Sequence, residues 1–327
     1  MSHLQGLEMK TILAADIGGT CSRFAVFTVT TEGLSRTSAV FTFPTRQDGI
    51  NSFSDFLKHY RNYRPENFPG LEDIENIALA VPGPVRGNRC TLPNIDWDID
   101  LDEVSCSNIT LLNDFTAQGF ACLLPDVIAR LLPVKPGMAI DAGNIAVIGA
   151  GTGLGHCCLA HDGDSYFPVP SESGYSTFAF RGQTEKRFEE FLLSKTGRPY
   201  IVNDHVVSGS GLAHLHEFLT GRRCAAEEVF TDNNNEETLA LFSRFYGRTC
   251  RNYCLTAMIT GSLIISGGLA IKHPELITCK NFMDEFLASA APAYDALLGE
   301  LPVWLNPDEN IGLLGAASYA SRYEGAD

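Results

Sequence analysis

Two short glycine-rich stretches hold the residue types that a polyphosphate requires. Asp16-Ile17-Gly18-Gly19-Thr20 places a carboxylate, two residues without Cβ and a hydroxyl in one run, and Gly151-Thr152-Gly153 repeats the glycine and hydroxyl parts. Backbone N–H groups that can approach phosphate oxygens closely, a hydroxyl and a carboxylate able to hold a metal are what a nucleotide polyphosphate needs. Either turn alone reads as hairpin punctuation. Each lies between two β-rich runs, and the recurrence points to a phosphate clamp divided between two hairpins. Two other phosphate motifs fail: there is no GxxxxGK[ST], and Gly149 and Gly151 cannot complete GxGxxG because position 154 is Leu. A P-loop or Rossmann enzyme is therefore not expected.

The carboxylates come next. Asn113-Asp114 follows the apolar run Ile109 to Leu112. A carboxylate within hydrogen-bond reach of an alcohol can orient it and accept its proton, which makes Asp114 a candidate base. Asn and Asp also cap helix N-termini, so residue type leaves both roles open. Glu172, in Ser171-Glu172-Ser173-Gly174, fits a ligand contact or a solvated loop carboxylate. Asp96, Asp98, Asp100 and Asp102 alternate with apolar residues and read as a solvated edge.

These residues must be positioned by sheets. Thr11–Ala15 and Arg23–Val29 read as a hairpin around the first glycine turn, and Ala39–Phe43 as a third strand. Ile50, Phe53, Leu57 and Tyr60 recur at helical spacing, with Asp48 as the expected N-cap. Ile74–Val81 and Ile109–Leu112 read as buried strands ending in turn residues. Phe115–Leu124 suits a helix that Pro125 ends. Ala146–Ile148 and His156–Leu159 flank the second glycine turn. From Glu185 the pattern is helical, and Leu239, Phe242, Tyr246, Cys250, Tyr253 and Ala257 form one apolar stripe. Ser262–Ile265 and Val303–Leu305 are late strands, and Ile311–Tyr323 a closing helix. The alternation implies an α/β fold with a hairpin opening each of two similar halves.

At 327 residues the chain exceeds what one core organises, so two lobes with a cleft are expected. A formal net charge of −15 opposes nucleic acid as a partner. No run of about 18 apolar residues and no cleavable leader is present, so neither a membrane partner nor export is expected, and the location is read as cytoplasmic. Met1–Glu8 reads as a loose leader. The ten cysteines include no CxxC pair and read as small buried hydrophobes, and the sequon at Asn108 as a chance match.

Taken in order, Asp16–Thr20 with Arg23, Leu92-Pro93-Asn94 before Trp97, Asn113–Ala117, Gly149–Gly155, Ser171–Gly174, Ser208-Gly209 before Gly211-Leu212, Gly267-Gly268 and Gly312–Gly315 resemble the bacterial ATP-dependent glucokinase family over nearly the whole chain. The resemblance implies a two-lobed actin-like ATPase fold, ribonuclease H-like in each lobe. Residues 1–112 with 311–327 would form the smaller lobe and 113–310 the larger. It implies ATP with Mg²⁺ as the phosphoryl donor, glucose as acceptor at its 6-hydroxyl, and a homodimer. Gly18, Gly19, Thr20, Gly151, Thr152 and Gly153 would surround the phosphates, with Asp16 helping to hold the metal beside Arg23, and Gly267 and Gly268 would lie against the adenosine. Asn94, Asn113, Asp114 and Glu172 would contact sugar hydroxyls. Two positions depart from the family pattern. Tyr175 stands where a His is general, and Asp204 where a sugar-binding Glu is general, which puts the identity of the sugar in question. The alternatives are a kinase of the same fold for another sugar or donor, and a non-catalytic sugar sensor. Retention of Asp114 speaks against the sensor, and the carboxylates favour a polyhydroxyl over an acidic acceptor. The related group with a cysteine and histidine zinc site is not matched.

Overall fold

A computed structural model of the chain describes residues 10–31, 33–74, 76–93, 95–104, 108–289 and 291–322; the expected leader Met1–Glu8 and Asn94 lie outside these. The chain divides into two compact units, one running to Pro125 and rejoined from Asn310, the other Asp126–Glu309.

In the first unit, β1 (Lys10–Ile17) and β2 (Cys21–Thr30) form an antiparallel hairpin with Asp16 opposite Arg23. The third strand read from Ala39–Phe43 is β4 (Phe41–Pro44), and a short strand that the sequence did not announce, β3 (Gly33–Arg36), precedes it; both pair with β2. Between them Thr37 N–H donates to the Val26 carbonyl and Ser38 Oγ accepts from Val26 N–H, which interrupts the ladder. Helix α1 (Phe53–Tyr63) starts later than its periodicity suggests. Its N-cap is Ser52 and not Asp48: Ser52 Oγ accepts from Asp55 N–H at 3.1 Å and donates to Asp55 Oδ2 at 2.8 Å. The chain then enters β5 (Asn76–Val81), parallel to β1.

A small antiparallel sheet follows, of β6 (Val85–Arg86), β7 (Arg89–Cys90) and β8 (Ile99–Asp100). It bears out the reading of Asp96–Asp102 as a solvated edge: Asp96, Asp98 and Asp102 are exposed and Asp100 is half-buried, on the face away from the apolar residues between them. Ile95, Trp97, Ile99 and Leu101 are buried, Asp98 accepts from Leu92 N–H, and Asp100 pairs with Arg89 at 2.9 Å. Strand β9 (Ile109–Asn113) pairs in parallel with β5 and leads directly into α2 (Asp114–Cys122).

Period-two alternation sends Leu13, Ala15 and Ile17 to an aromatic core under α1, with Phe24, Phe43, Phe56 and Tyr60. Ile12 and Ala14 face the opposite side, where Ala78, Ala80, Ala117, Ala316, Ala317 and Ala320 form a small-residue layer under α2 and the closing helix (Ile311–Arg322). Small side chains let these helices lie close. A Cβ at Gly315 would overlap the Ala117 carbonyl, and one at Gly312 would stand 3.0 Å from Asp16 Oδ2. This packing of α2 on the closing helix carries the first unit past residue 112 to Pro125.

Pro125 begins the single turn α3 (Pro125–Ile128), a position where its missing N–H costs nothing, while α2 already stops at Cys122. The second unit continues with β10 (Leu132–Lys135), the hairpin of β11 (Ile145–Ala150) and β12 (Leu154–His161), and β13 (Tyr166–Ser171). Pro168 and Pro170 hid β13 from sequence patterning; they are tolerated because it is the edge of its sheet. Helices α4 (Gly182–Thr196), α5 (Asn203–Val206), α6 (Gly209–Thr220), α7 (Ala226–Val229) and α8 (Glu236–Thr256) precede β14 (Ser262–Ser266). Helices α9 (Gly268–Lys272), α10 (Glu275–Thr278), α11 (Lys280–Leu287) and α12 (Pro292–Glu300) precede β15 (Val303–Leu305).

From the far hairpin strand inward, β13-β12-β11-β14-β15 repeats the plan of β3-β2-β1-β5-β9, two antiparallel pairings followed by two parallel ones. Phe242, Tyr246, Cys250 and Tyr253 of the expected stripe are buried. Arg248, fully buried on α8, ties α4 to α11 through Glu185 at 2.6 and 2.9 Å and Glu285 at 3.0 Å. Among the described residues no helix is long and apolar enough to cross a membrane.

Candidate active site

In the first unit the parallel strands β1, β5 and β9 end at one sheet edge, with Asp16 level with Ala80 and Val81 level with Asn113. Two strand spacings of about 4.8 Å put Asp16 and Asn113 about 10 Å apart there. The Gly18-Gly19-Thr20 turn is closed by Gly18 N–H to the Cys21 carbonyl at 3.0 Å, and Thr20 is exposed at its tip. Behind it sits Thr45, fully buried. Its Oγ1 donates to the Gly18 carbonyl at 2.7 Å, its N–H donates to the Thr20 carbonyl at 3.0 Å, and Ser22 Oγ lies 2.7 Å from Oγ1.

Asp16 is partly buried, 3.8 Å from Arg23, and burial lifts its carboxyl above the ordinary value against the pull of that guanidinium. No group of three metal-ligating side chains gathers among the described residues. A lone desolvated carboxylate at the strand end, with Gly312 leaving space beside it, fits the habit of Mg²⁺, which takes one or two carboxylates and completes its shell with water and phosphate oxygens.

Asn113 is the N-cap of α2. Its Oδ1 accepts from Phe115 N–H at 3.0 Å and Thr116 N–H at 3.1 Å, and its Nδ2 donates to the Gly83 carbonyl at 3.3 Å. One hydrogen remains on Nδ2 for a ligand. Asp114 is the first helical residue, partly buried, its Oδ1 accepting from Phe115 N–H at 2.8 Å. Gly83 also meets the loop that holds Leu92 and Pro93, since a Cβ on it would stand 2.6 Å from the Thr91 carbonyl and 2.9 Å from Pro93 Cδ. The motif before Trp97 is thus brought beside Asn113, although Asn94 itself lies outside the described residues.

In the second unit the Gly151-Thr152-Gly153 turn joins β11 to β12, closed by Gly151 N–H to the Gly153 carbonyl at 2.8 Å, with Thr152 exposed. Asp204 of α5 lies against it: Oδ1 accepts from Leu154 N–H at 2.7 Å and stands 2.7 Å from where a Gly153 Cβ would be. Burial lifts the Asp204 carboxyl, opposed by the Leu154 hydrogen bond and by Arg198. Glu172 stands at the surface, its carboxyl raised by desolvation and then by Asp204. Tyr175, exposed, is raised by desolvation and by both carboxylates, with Arg198 opposing. Glu172, Tyr175 and Asp204 therefore form one electrostatic group beside the second glycine turn. Gly267, at φ 86°, follows β14; a Cβ there would stand 2.6 Å from the Ala150 carbonyl, so Gly267 and Gly268 lie at the foot of the same hairpin.

Sequence reading missed four contributors. Thr45 holds the first turn, Asn203 ties α5 to the Ser173–Ser176 turn, and the Tyr246 hydroxyl accepts from Ala150 N–H at 3.2 Å. Arg198 acts by charge on Asp204 and Tyr175. Of these only Asn203 had a local signal, its place next to Asp204.

A hairpin-led mixed sheet that occurs twice, each time with a glycine turn between its first two strands, defines the actin-like class of sugar kinases. Over residues 13–323 the chain matches the glucokinase family. A glucokinase of Nostoc sp. strain PCC 7120 is 30% identical over 96% of this chain and 100% of that protein. The chain belongs to the glucokinase family. The solved glucokinase of an Antarctic psychrotroph superimposes with a TM-score of 0.74 at 26% identity, covering 97% of this chain and 100% of that one. The Balamuthia mandrillaris glucokinase, solved with glucose, shares the fold with a TM-score of 0.80 at 16% identity over 98% and 96% of the two chains.

Proposed function

We propose that the protein transfers the γ-phosphoryl group of ATP to the 6-hydroxyl of glucose, with Asp114 as general base. The observation that carries this reading is the placement of Asp114: a carboxylate at the carboxyl end of β9, its orientation set by Phe115 N–H, on the sheet edge that also bears Asp16 and the first glycine turn. The 6-hydroxyl hydrogen-bonds to Asp114. As its oxygen bonds to the γ-phosphorus, the bond to the ADP bridging oxygen breaks and the proton passes to the carboxylate.

Asn94, Asn113 and Glu172 orient the other sugar hydroxyls, with Tyr175 and Asp204 beside Glu172 in the same electrostatic group. The amides of Gly18, Gly19, Gly151 and Gly153 and the hydroxyls of Thr20 and Thr152 meet the phosphates, and Gly267 and Gly268 the adenosine. When Mg²⁺ is bound it supplies positive charge against the phosphate oxygens, and Asp16 would hold it. The reaction belongs in the cytosol, a placement supported by the described cysteines, all of which are free thiols.

The test is sugar-dependent ADP release from Mg-ATP with glucose, mannose, fructose, N-acetylglucosamine and no sugar, for the wild type and Asp114→Asn. Glucose-dependent release that falls by at least about a hundredfold in the variant, within the usual contribution of a general base, is expected. Unchanged kcat in the variant removes Asp114 from the mechanism. Release only with another hexose assigns the altered specificity to Tyr175 and Asp204.

A further inference from the structure

Helix α5 is a single turn, yet its first two residues grip two different parts of the site. Asn203 is buried, and its Nδ2 donates to the Ser173 carbonyl at 3.0 Å and to Ser176 Oγ at 2.8 Å, while its own N–H donates to the Ser176 carbonyl at 3.0 Å. It therefore holds the turn that carries Glu172 and Tyr175. Asp204 holds the glycine turn through Leu154 N–H at 2.7 Å. Adjacent residues on a helix diverge by about 100°, so neighbours can reach two structures at once. The chain just beyond α5 adds a third contact, Gly209 N–H to the Gly151 carbonyl at 2.8 Å, so the glycine turn is bracketed on both flanks. The two gripped parts also touch each other: a Cβ on Gly174 would overlap the carbonyl of the same Leu154 whose N–H Asp204 holds.

We infer that Asn203 and Asp204 form a link through which sugar and nucleotide favour each other's binding. Sugar hydroxyls that settle the Glu172–Tyr175 turn fix Asn203, hence α5, hence the amides of the 151–153 turn in the shape that phosphates require. Asn203 is a positioning residue here, since it contacts neither ligand. Such coupling is reciprocal, so nucleotide must tighten sugar binding by the same factor that sugar tightens nucleotide. The inference rests on the kinase reading above.

Calorimetric titration tests it, with glucose and Mg-AMPPNP each titrated alone and in saturating amounts of the other, for the wild type, Asn203→Ala and Ser176→Ala. The wild type should show roughly tenfold mutual tightening, within the usual range for coupled sites. In Asn203→Ala the factor should drop below about twofold, whatever the change in either ligand's own affinity; Ser176→Ala should lie between. Ser176 is exposed, so that variant decides the matter if Asn203→Ala does not fold. An unchanged factor in the folded variants, or none in the wild type, overturns the link while leaving the kinase reading standing. Failure of the wild type to bind either ligand overturns both.

Discussion

Thr45 reaches across 27 positions of sequence to hold the carbonyl of Gly18, and nothing about a threonine after Pro44 announces it. Its value follows from burial: without the hydroxyl, Gly18 O and Ser22 Oγ lose their partner in a dry place, at a cost of about 1–3 kcal/mol. Thr45→Val should raise the KM for Mg-ATP roughly tenfold and leave the sugar KM in place, with Thr45→Ser restoring most of the loss. Steady-state kinetics decide; equal effects of Val and Ser dismiss the hydroxyl.

His156 invites a different measurement. It is fully buried, neither ring nitrogen has a partner within hydrogen-bond distance among the described residues, and burial pushes its pKa down to about 3. Unfolded, it titrates near 6.5. Between those values the unfolded chain binds a proton that the folded chain refuses, so stability declines as pH falls below about 6.5, by about 2 kcal/mol at pH 5. Urea unfolding at pH 7 and pH 5 should show this loss in the wild type and about 2 kcal/mol less of it in His156→Phe; identical losses refute it. The roles given to Asp16 and Asp114 came from the family resemblance, while the two glycine turns and the helix start at Asn113-Asp114 were legible in residue type and local spacing. Thr45 and Arg198 were not, because their roles arise only from chain segments that folding brings together.

At the level of elements, the hairpins, the parallel strands and the long helix α8 were legible from apolar periodicity. The strand β13 escaped because its prolines are excluded from every ladder position except an edge, and edge status is a property of the finished sheet. The pairing of α2 with the closing helix was equally hidden, although Gly312 and Gly315 marked it without explaining it. Gly315→Ala forces a methyl group into the Ala117 carbonyl, and overpacking of this kind costs about 1–3 kcal/mol. Because α2 bears Asp114 at its start, kcat should fall as well. Gly299→Ala on α12, where a Cβ meets nothing within 4 Å, is the control and should be neutral or stabilising. Chemical denaturation and turnover of both variants test this, and equal behaviour of the two would discard the close-approach argument.

For the molecule as a whole, each hydrophobic core draws its residues from one unit alone. Phe245, fully buried among Phe178, Phe180 and Phe188, belongs to the second. Phe245→Ala should cost about 3–5 kcal/mol. Hydrogen exchange should then lose protection in β11, β12 and β14 while β1, β5 and β9 keep theirs; uniform loss throughout would show that the cores do not respond separately.

The first unit is also discontinuous in the chain, which bears on how the protein is made. The alanine-lined face of its sheet, Ala14, Ala78 and Ala80, leaves the ribosome early, but half of its cover is the closing helix. All of Asp126–Glu309 must be translated in between, a delay of roughly 10–40 s at elongation rates of ~5–20 residues per second. During that interval the face lacks half of its apolar cover, so the whole sequence of the second unit is available to fold before that of the first is complete.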